Sequence, residues 1–451
     1  MANLIKTKRG LDIVIGGIAK EVTEASVISD VITINPDHYH AITPKVVVKE
    51  GDTVKAGTPL FYNKAIESMK FVAPVSGKIL AVNRGERRKV MSITIACDKE
   101  IAYENFTLGT PEKMNSDEIK SALLTSGLWA YIKQRPYDVI ANPANTPKAI
   151  FISGFDSAPL APNNEFVLAG EMEHFQTGIN ALAKLTPGKI QLGVKNGSTF
   201  YNNVKNVEIT AFAGPHPVGN VGVQINQVSP VNKGEVVWTV QPQDVVFIGK
   251  LFNTSKVDLK RKVAITGPEV NSPAYIETIA GTQIQALTAS KVKAGNVRYI
   301  SGNVLTGIKS DKTEGIDPYA TQITIIKEGD DVHEMFGWAM PRFNKFSVSN
   351  TYFTGLMRLM GKKEFDYDTR LMGGVRAIIM SNEYDKVFPM DIYPEYLIKS
   401  MITGNIDKME ALGAYEVAPE DFALCEFVCT SKLPIQQIVR EALDTMRKEL
   451  E

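Results

Sequence analysis

The chain has 451 residues, 44% apolar and 22% charged, a composition of folded globular proteins and a length that accommodates about two to four domains. Fifty basic side chains balance fifty acidic ones, so nothing calls for a nucleic-acid-binding surface. No apolar run approaches the ~18–20 residues that span a bilayer, the start lacks the apolar core of a signal peptide, and Cys97, Cys425 and Cys429 are too few for a disulfide framework. The expectation is a cytoplasmic chain that works at a membrane only by docking on other subunits.

In chain order, residues 41–99 are short β-branched runs cut by Gly and Pro turns, PKVVVKEGD, KAGTPLF, PVSGKILAVNRGE and VMSITIAC, the spacing of a small all-β domain. VKEGDTVKAGTPLF followed by APVSGKILAVNRGE resembles the barrel-sandwich fold of lipoyl and biotinyl carriers. Those carriers present a modified lysine at a hairpin tip, and ESMKFVAPVSGKI resembles such an attachment sequence at Lys70. The midpoint between the landmarks Pro59 and Pro74 falls at Ile66 and Glu67, so Lys70 lies past the tip on the returning strand. Lys70 therefore reads as an ordinary strand lysine, and the module as a docking module. His38 and His40 would share a face in a strand, but zinc needs three or four ligands and no further Cys or His is near, so they read as a polar loop pair.

Residues 149–214 have the rhythm of an α/β unit. AIFISGF is a continuous apolar run suited to a buried parallel strand. EMEHFQTGINALAKL places Met172, Phe175, Ile179, Leu182 and Leu185 at helical spacing. TPGKIQLGVKN and NVEITAFAG supply two more strands. A dinucleotide site needs glycines between strand and helix so that backbone amides face phosphate. DSAPLAPNNE, after the first strand, has none. The Gly-dense loop GPHPVGNVG, residues 214–222, holds two prolines and leads into VQINQV, which has no obvious helical pattern, so it reads as a structural turn.

From residue 258, strand, turn, strand, the short helix TQIQALTA and a further strand form a compact α+β module. AITGPEVNSP, GTQIQAL and ISGNVLTG resemble the soluble-ligand-binding (SLBB) β-grasp module that follows an α/β domain in the flavin-bearing subunit of respiratory complex I. Taken whole, the chain is similar to the family of A subunits of the sodium-translocating NADH:quinone oxidoreductases (Na+-NQR). The resemblance rests on IKTKRGLDIVIGG, FAGPHPVG, IGKLF, FGWAMPRFNKFS, FPMDIYP and LCEFVCTSK, and runs nearly end to end. It implies an α/β and α+β multidomain fold: a barrel-sandwich domain with an N-terminal extension at 1–100, a Rossmann-like α/β domain at 101–257, the SLBB β-grasp module at 258–330 and a mainly helical C-terminal domain at 331–451. It also implies a peripheral subunit on the cytoplasmic side of the membrane. The partners are membrane and peripheral subunits of the same complex, and quinone. NADH, flavins and iron–sulfur centres then belong to other subunits.

The departures from flavin-bearing relatives sharpen this. In LLTSGLWAYIKQRPYDVIANPANTPKAIFISGF, Gly127 remains and the rest of a glycine loop does not. Cys425 and Cys429 are two thiolates where a cluster needs four, so they read as buried apolar residues, with ligands shared between subunits as the alternative. In the C-terminal third, Phe336, Trp338, Phe343, Phe346, Tyr352, Phe353, Met357 and Met360 read as core, with a quinone cleft or protein interface as the alternative. A last helix should open at Pro434 and carry Ile435, Ile438, Val439, Ala442, Leu443, Met446 and Leu450 on one stripe that docks on its own domain or a partner. No catalytic, cofactor-binding or metal-ligating residue is assigned. The expected role is structural docking with an influence on quinone access. The alternatives are a biotin- or lipoyl-dependent carrier subunit, or a free-standing flavin or nucleotide oxidoreductase.

Overall fold

A computed structural model describes residues 3–330, 335–336, 340–348, 352–361 and 364–451. The N-terminal extension forms β1 (Asn3–Lys6) and β2 (Lys20–Glu24), and neither joins the module that follows. That module holds β3 (Val31–Ile34), β4 (Pro44–Val46), β5 (Thr53–Val54), β6 (Pro59–Asn63), β7 (Ile66–Val72), β8 (Gly77–Arg84) and β9 (Val90–Cys97). They form two antiparallel sheets, β3-β9-β8-β5 and β4-β6-β7. Period-2 alternation puts Phe71 and Met69 of β7 and Ile93 and Ile95 of β9 into one shared core.

The α/β domain opens with α1 (Ser116–Thr125), started by a capping box in which Asn115 and Glu118 satisfy each other's backbone amides. Then come β10 (Lys133–Arg135), β11 (Val139–Ile140), β12 (Ala149–Ser153), α2 (Asn164–Leu168), α3 (Met172–Ala183), β13 (Ile190–Lys195), β14 (Val207–Ala213), α4 (Val221–Val228), β15 (Val237–Thr239) and α5 (Pro242–Thr254). The sheet order is β1-β14-β13-β12-β15-β10-β11, parallel from β1 to β15. The antiparallel pair β10 and β11 closes one edge, and β1 closes the other. Ile150 and Ile152 of β12 are fully buried, as a strand covered on both faces should be. Helices α3 and α5 touch backbone to backbone through two glycines. A Cβ on Gly178 would stand 2.1 Å from the Val245 carbonyl oxygen, and one on Gly249 would stand 1.7 Å from that of His174.

The β-grasp module holds β16 (Arg261–Thr266), β17 (Ala274–Thr278), α6 (Ile284–Thr288), β18 (Val297–Ser301), β19 (Ile308–Ser310) and β20 (Gln322–Lys327). Its sheet order is β19-β18-β20-β16-β17-β2, so the N-terminal extension completes an edge here as well. Residues 3–24 thus stitch two domains together before the barrel-sandwich module begins.

The C-terminal domain carries α7 (Thr354–Leu359), α8 (Glu383–Val387), α9 (Pro394–Ile402), α10 (Ile406–Ala411), α11 (Ala423–Val428) and α12 (Ile435–Leu450). Pro434 stands at the N-cap of α12, so the helix begins one residue later than expected. Ile435, Val439, Ala442, Leu443 and Met446 are buried against Leu397 of α9, Phe422 and Cys425, so the predicted stripe docks on its own domain. Leu450, at the frayed end, is exposed.

Candidate functional site

The carrier-like hairpin comes first. β6 and β7 pair with Tyr62 opposite Lys70, so Lys70 sits within the returning strand, half-buried. The two-residue tip is Lys64–Ala65, both exposed. Midpoint counting places the tip about two residues late because the β6–β7 register shifts between Pro59 and Phe61 and again between Tyr62 and Asn63. The lysine at the tip is Lys64, a residue that counting between landmarks passes over; the NKA turn between YN and IES is its signal.

His38 and His40 do not act as a pair. His38 Nδ1 lies 3.8 Å from Asp317 of the β-grasp module, and His40 Nε2 lies 2.9 Å from Asp444 of α12. His40 hydrogen-bonds the C-terminal domain while His38 faces the β-grasp module, so the two look toward different domains. Among the described residues no group of three or more His, Cys, Asp or Glu is placed to hold a metal ion.

A cavity of about 200 Å³ lies at the carboxyl ends of β12 and β15. There the chain leaves β12 for β13 on one side while β15 lies on the other, the crevice where open α/β sheets bind ligands. Ser153, His216, Asn220 and Asp244 line it from the α/β domain, Tyr319 from the β-grasp module and Glu420 from the C-terminal domain. The loop 214–222, expected to lead into no clear helix, leads into α4. Its two prolines and small apolar run hide a strand–loop–helix connection of the kind that can cradle phosphate. In this loop, however, the amides are spent inside the chain. His216 N–H donates to Asp12 Oδ1, Val218 N–H to the Pro215 carbonyl, Gly219 N–H to Ser157 Oγ and Asn220 N–H to the Pro217 carbonyl. α5, which the sequence pattern does not announce, begins with Pro242, which has no N–H to offer, and places its own carboxylate, Asp244, in its first turn.

The cavity walls are strongly polarised. Asp244 Oδ1 accepts from Arg261 at 2.8 Å, while its Oδ2 has no partner among the described residues. Burial pushes the Asp244 carboxyl up to about 6 against the opposing pull of Arg261. Burial holds the His216 imidazole down to about 4, so at neutral pH it is an uncharged partner of Ser157 Oγ, 3.0 Å away. The Lys133 ammonium lies over the Tyr319 ring, 4.6 Å from its centroid. Behind this wall Arg135, 1% exposed, bonds Asp421 Oδ2 and the Glu416 carbonyl, each at 2.6 Å, and Glu420 at 3.0 Å. With several carboxylates around one lysine, the cavity suits a neutral donor group better than a phosphate.

Gly127 serves packing. It adopts a left-handed φ of 77° between α1 and the turn at 128–131, and a Cβ there would meet Val72 of the barrel-sandwich module at 2.9 Å. Cys425 and Cys429 are fully buried; burial pushes the Cys425 thiol well up, and Cys429 Sγ shares a 2.9 Å hydrogen bond with Tyr384 Oη. The Cys97 thiol is pushed up to about 11, again by burial. The aromatic and methionine group departs from the core assignment. Phe336, Phe343, Phe353 and Met360 are exposed, while Phe346 turns inward toward Phe365, Tyr367 and Phe427. Trp338 lies outside the described residues.

Three family models match successive stretches: the NqrA N-terminal barrel-sandwich hybrid domain over residues 5–98, the NqrA second alpha/beta domain over 114–257, and the NQRA C-terminal domain over 262–312. Curated relatives align along the full length. The A subunit of the Na+-translocating NADH-quinone reductase of Yersinia pseudotuberculosis serotype O:1b is 36% identical over 451 residues, covering 99% of this chain and all of its own. Its namesakes in Serratia proteamaculans and Neisseria meningitidis are also 36% identical, with the same coverage. The chain belongs to the NqrA family, the A subunits of the Na+-translocating NADH-quinone reductases. Among solved structures, an NAD+-reducing NiFe-hydrogenase overlays 75% of this chain and 62% of its own at 11% identity, with a TM-score of 0.37, too loose a likeness to carry an argument. Family membership makes the other subunits of that reductase its partners and accounts for the domain series: barrel sandwich, α/β and β-grasp.

Proposed function

We propose that this chain is a structural and docking subunit of the Na+-translocating NADH-quinone reductase, seated peripherally on the cytoplasmic side of the membrane. NADH oxidation and the redox carriers lie on other subunits, and this subunit's apolar surface shapes how quinone reaches the complex. Among the described residues no helix is long and apolar enough to cross a membrane. The observation that carries the proposal is the loop at 214–220. It occupies the position of a phosphate cradle, between strand and helix at the sheet's carboxyl edge, yet gives its amides to Asp12, Ser157 and its own prolines' carbonyls. An absorbance spectrum of the purified native chain, with an NADH oxidation assay, tests this. A bare protein spectrum and no turnover are expected; stoichiometric flavin or NADH oxidation by the chain alone would overturn it.

The tip lysine supports a second, carrier reading at a specific residue. A swinging arm in this module belongs on Lys64 and not on Lys70. Intact mass of the natively expressed chain decides: the docking role predicts the unmodified mass, while a lipoyl or biotinyl increment mapped to Lys64 would establish the carrier.

A further inference from the structure

The cavity at the carboxyl ends of β12 and β15 carries an unbalanced charge. Its lining holds the carboxyl groups of Asp138, Asp156, Asp244 and Glu420 and one ammonium group, that of Lys133. Behind the wall, Arg261 pairs with Asp244, and Arg135 pairs with Glu420 and Asp421. With these counted, five carboxyl groups stand against three cations, and His216, kept neutral by burial, adds no charge. Lys133 does not quench the surplus: its ammonium lies over the Tyr319 ring and makes no ion pair among the described residues.

Acidic walls alone would be satisfied by water, but two buried acceptors here lack a donor. Asp244 is 1% exposed; its Oδ1 accepts from Arg261, while its Oδ2 has no partner among the described residues. Gln241 Oε1 is buried and equally without a partner. Gln241 stands at the N-cap of α5 and Asp244 in its first turn, and both line the cavity. Burial outweighs the pull of Arg261 on the Asp244 carboxyl, so that cation leaves it under-compensated. A buried acceptor without a donor is costly, a charged one most of all, so the site gains when a donor enters. A hydroxyl group supplies one hydrogen. An ammonium group supplies three and also answers the negative surplus. Among the described residues no group of three or more His, Cys, Asp or Glu is placed to hold a metal ion, so the donor is organic. Tyr131, Val240, Leu305 and Tyr319 give it an apolar body to lie against.

We infer that this cavity binds a small organic ammonium ion, a primary amine with a short apolar body, whose N–H groups bond Asp244 Oδ2 and Gln241 Oε1. The site stands independently of the docking role proposed above. Saturation-transfer NMR titrations of the purified native chain at fixed ionic strength test it. The probes are butylammonium and benzylammonium, set against butanol, benzyl alcohol and butyrate. Both ammonium ions bind saturably and about tenfold more tightly than their alcohols, and butyrate does not bind. Asp244→Asn weakens the ammonium ions by about tenfold. Asp156→Asn, which keeps an oxygen for the Ala158 amide, weakens them by about threefold and leaves the unfolding midpoint unchanged. Asp407→Asn, exposed on α10, changes nothing. Should Asp244→Asn fail to fold because Arg261 loses its partner, Asp156→Asn and the probe series decide alone. Equal affinity for ammonium ion and alcohol, no saturable binding of either ammonium ion, or affinity untouched by the cavity variants overturns the inference.

Discussion

The junction where the domains meet and an apolar shoulder at 335–380, whose described residues hold more than half of the large apolar side chains exposed among the described residues, invert the usual distribution of polarity. At the junction, Arg135, Arg261, Asp244 and Asp421 are each 3% exposed or less. On the shoulder, Leu359 and Met335 stand almost fully in water. Charges go inside only when they are paired and hydrogen-bonded, whereas single large apolar groups are common on a surface and only their concentration is unusual. The junction is therefore finished within the chain, by pairs such as Arg135–Asp421 and Arg261–Asp244 that cross domain boundaries. The described residues of the shoulder leave their apolar side chains open.

The comparison breaks most sharply at Arg135. Arg135→Met should leave the Asp421 carboxylate buried without its cation, an arrangement that typically costs ~3–5 kcal/mol. Because Arg135 belongs to the α/β sheet and Asp421 to the C-terminal domain, the loss should appear in denaturant unfolding as a lowered midpoint, with the C-terminal domain melting first. A midpoint within error of the native chain would mean that the pair is solvated and that the junction is no more closed than the shoulder.

Two leucines put the apolar side of the comparison to the same measurement. Leu443 of α12 is fully buried, and Leu443→Ala should cost ~2–5 kcal/mol through lost burial and the cavity left behind. Leu359→Ala removes the same atoms from a side chain 87% exposed and should change the stability of the isolated chain by no more than ~0.5 kcal/mol. A large loss at Leu359 would show that the shoulder folds back on its own chain, and the contrast would vanish.

These two leucines also mark how far the sequence can be read. Residues 435–450 give a long, regular stripe with mixed charges opposite, and that pattern locates the start of α12 to within one residue and the buried face through Met446. The strands at 149–153, 190–195 and 207–213 are legible for the same reason, since period and continuity are local properties. The shoulder is not legible: a run rich in Phe, Met and Leu has the composition of a core, and only the contacts say whether a core is there. The cavity escapes for a different reason. It draws Ser153, His216, Asp244, Tyr319 and Glu420 from three domains, and no spacing along the chain brings those positions together. The helix after 214–222 is hidden by Pro215 and Pro217, which read as turn residues and here sit just ahead of a helix start. The hairpin tip is misplaced by about two residues because register shifts cannot be counted from landmarks alone.

The smallest effect tests how dry the junction is, through His216. Its imidazole is 4% exposed and burial holds it down to about 4, below the ~6.5 of a free histidine. The unfolded chain therefore binds a proton between those values that the folded chain refuses. The stability His216 contributes is complete above about pH 6.5 and is lost as pH falls toward 4, amounting to ~2 kcal/mol by about pH 5. Asp244 works in the opposite sense: its carboxyl is pushed up to about 6, so the folded chain takes up its proton first and regains stability over part of the same window. Because the two oppose each other, the native chain's acid limb should be shallow, and the His216 contribution shows only in a difference. His216→Gln keeps a neutral polar group beside Ser157 and removes the titration. Unfolding free energies measured for both chains from pH 7.5 downward should converge by ~2 kcal/mol toward pH 5. A difference that stays constant with pH would place His216 in contact with water, and the junction would then be as open as the shoulder.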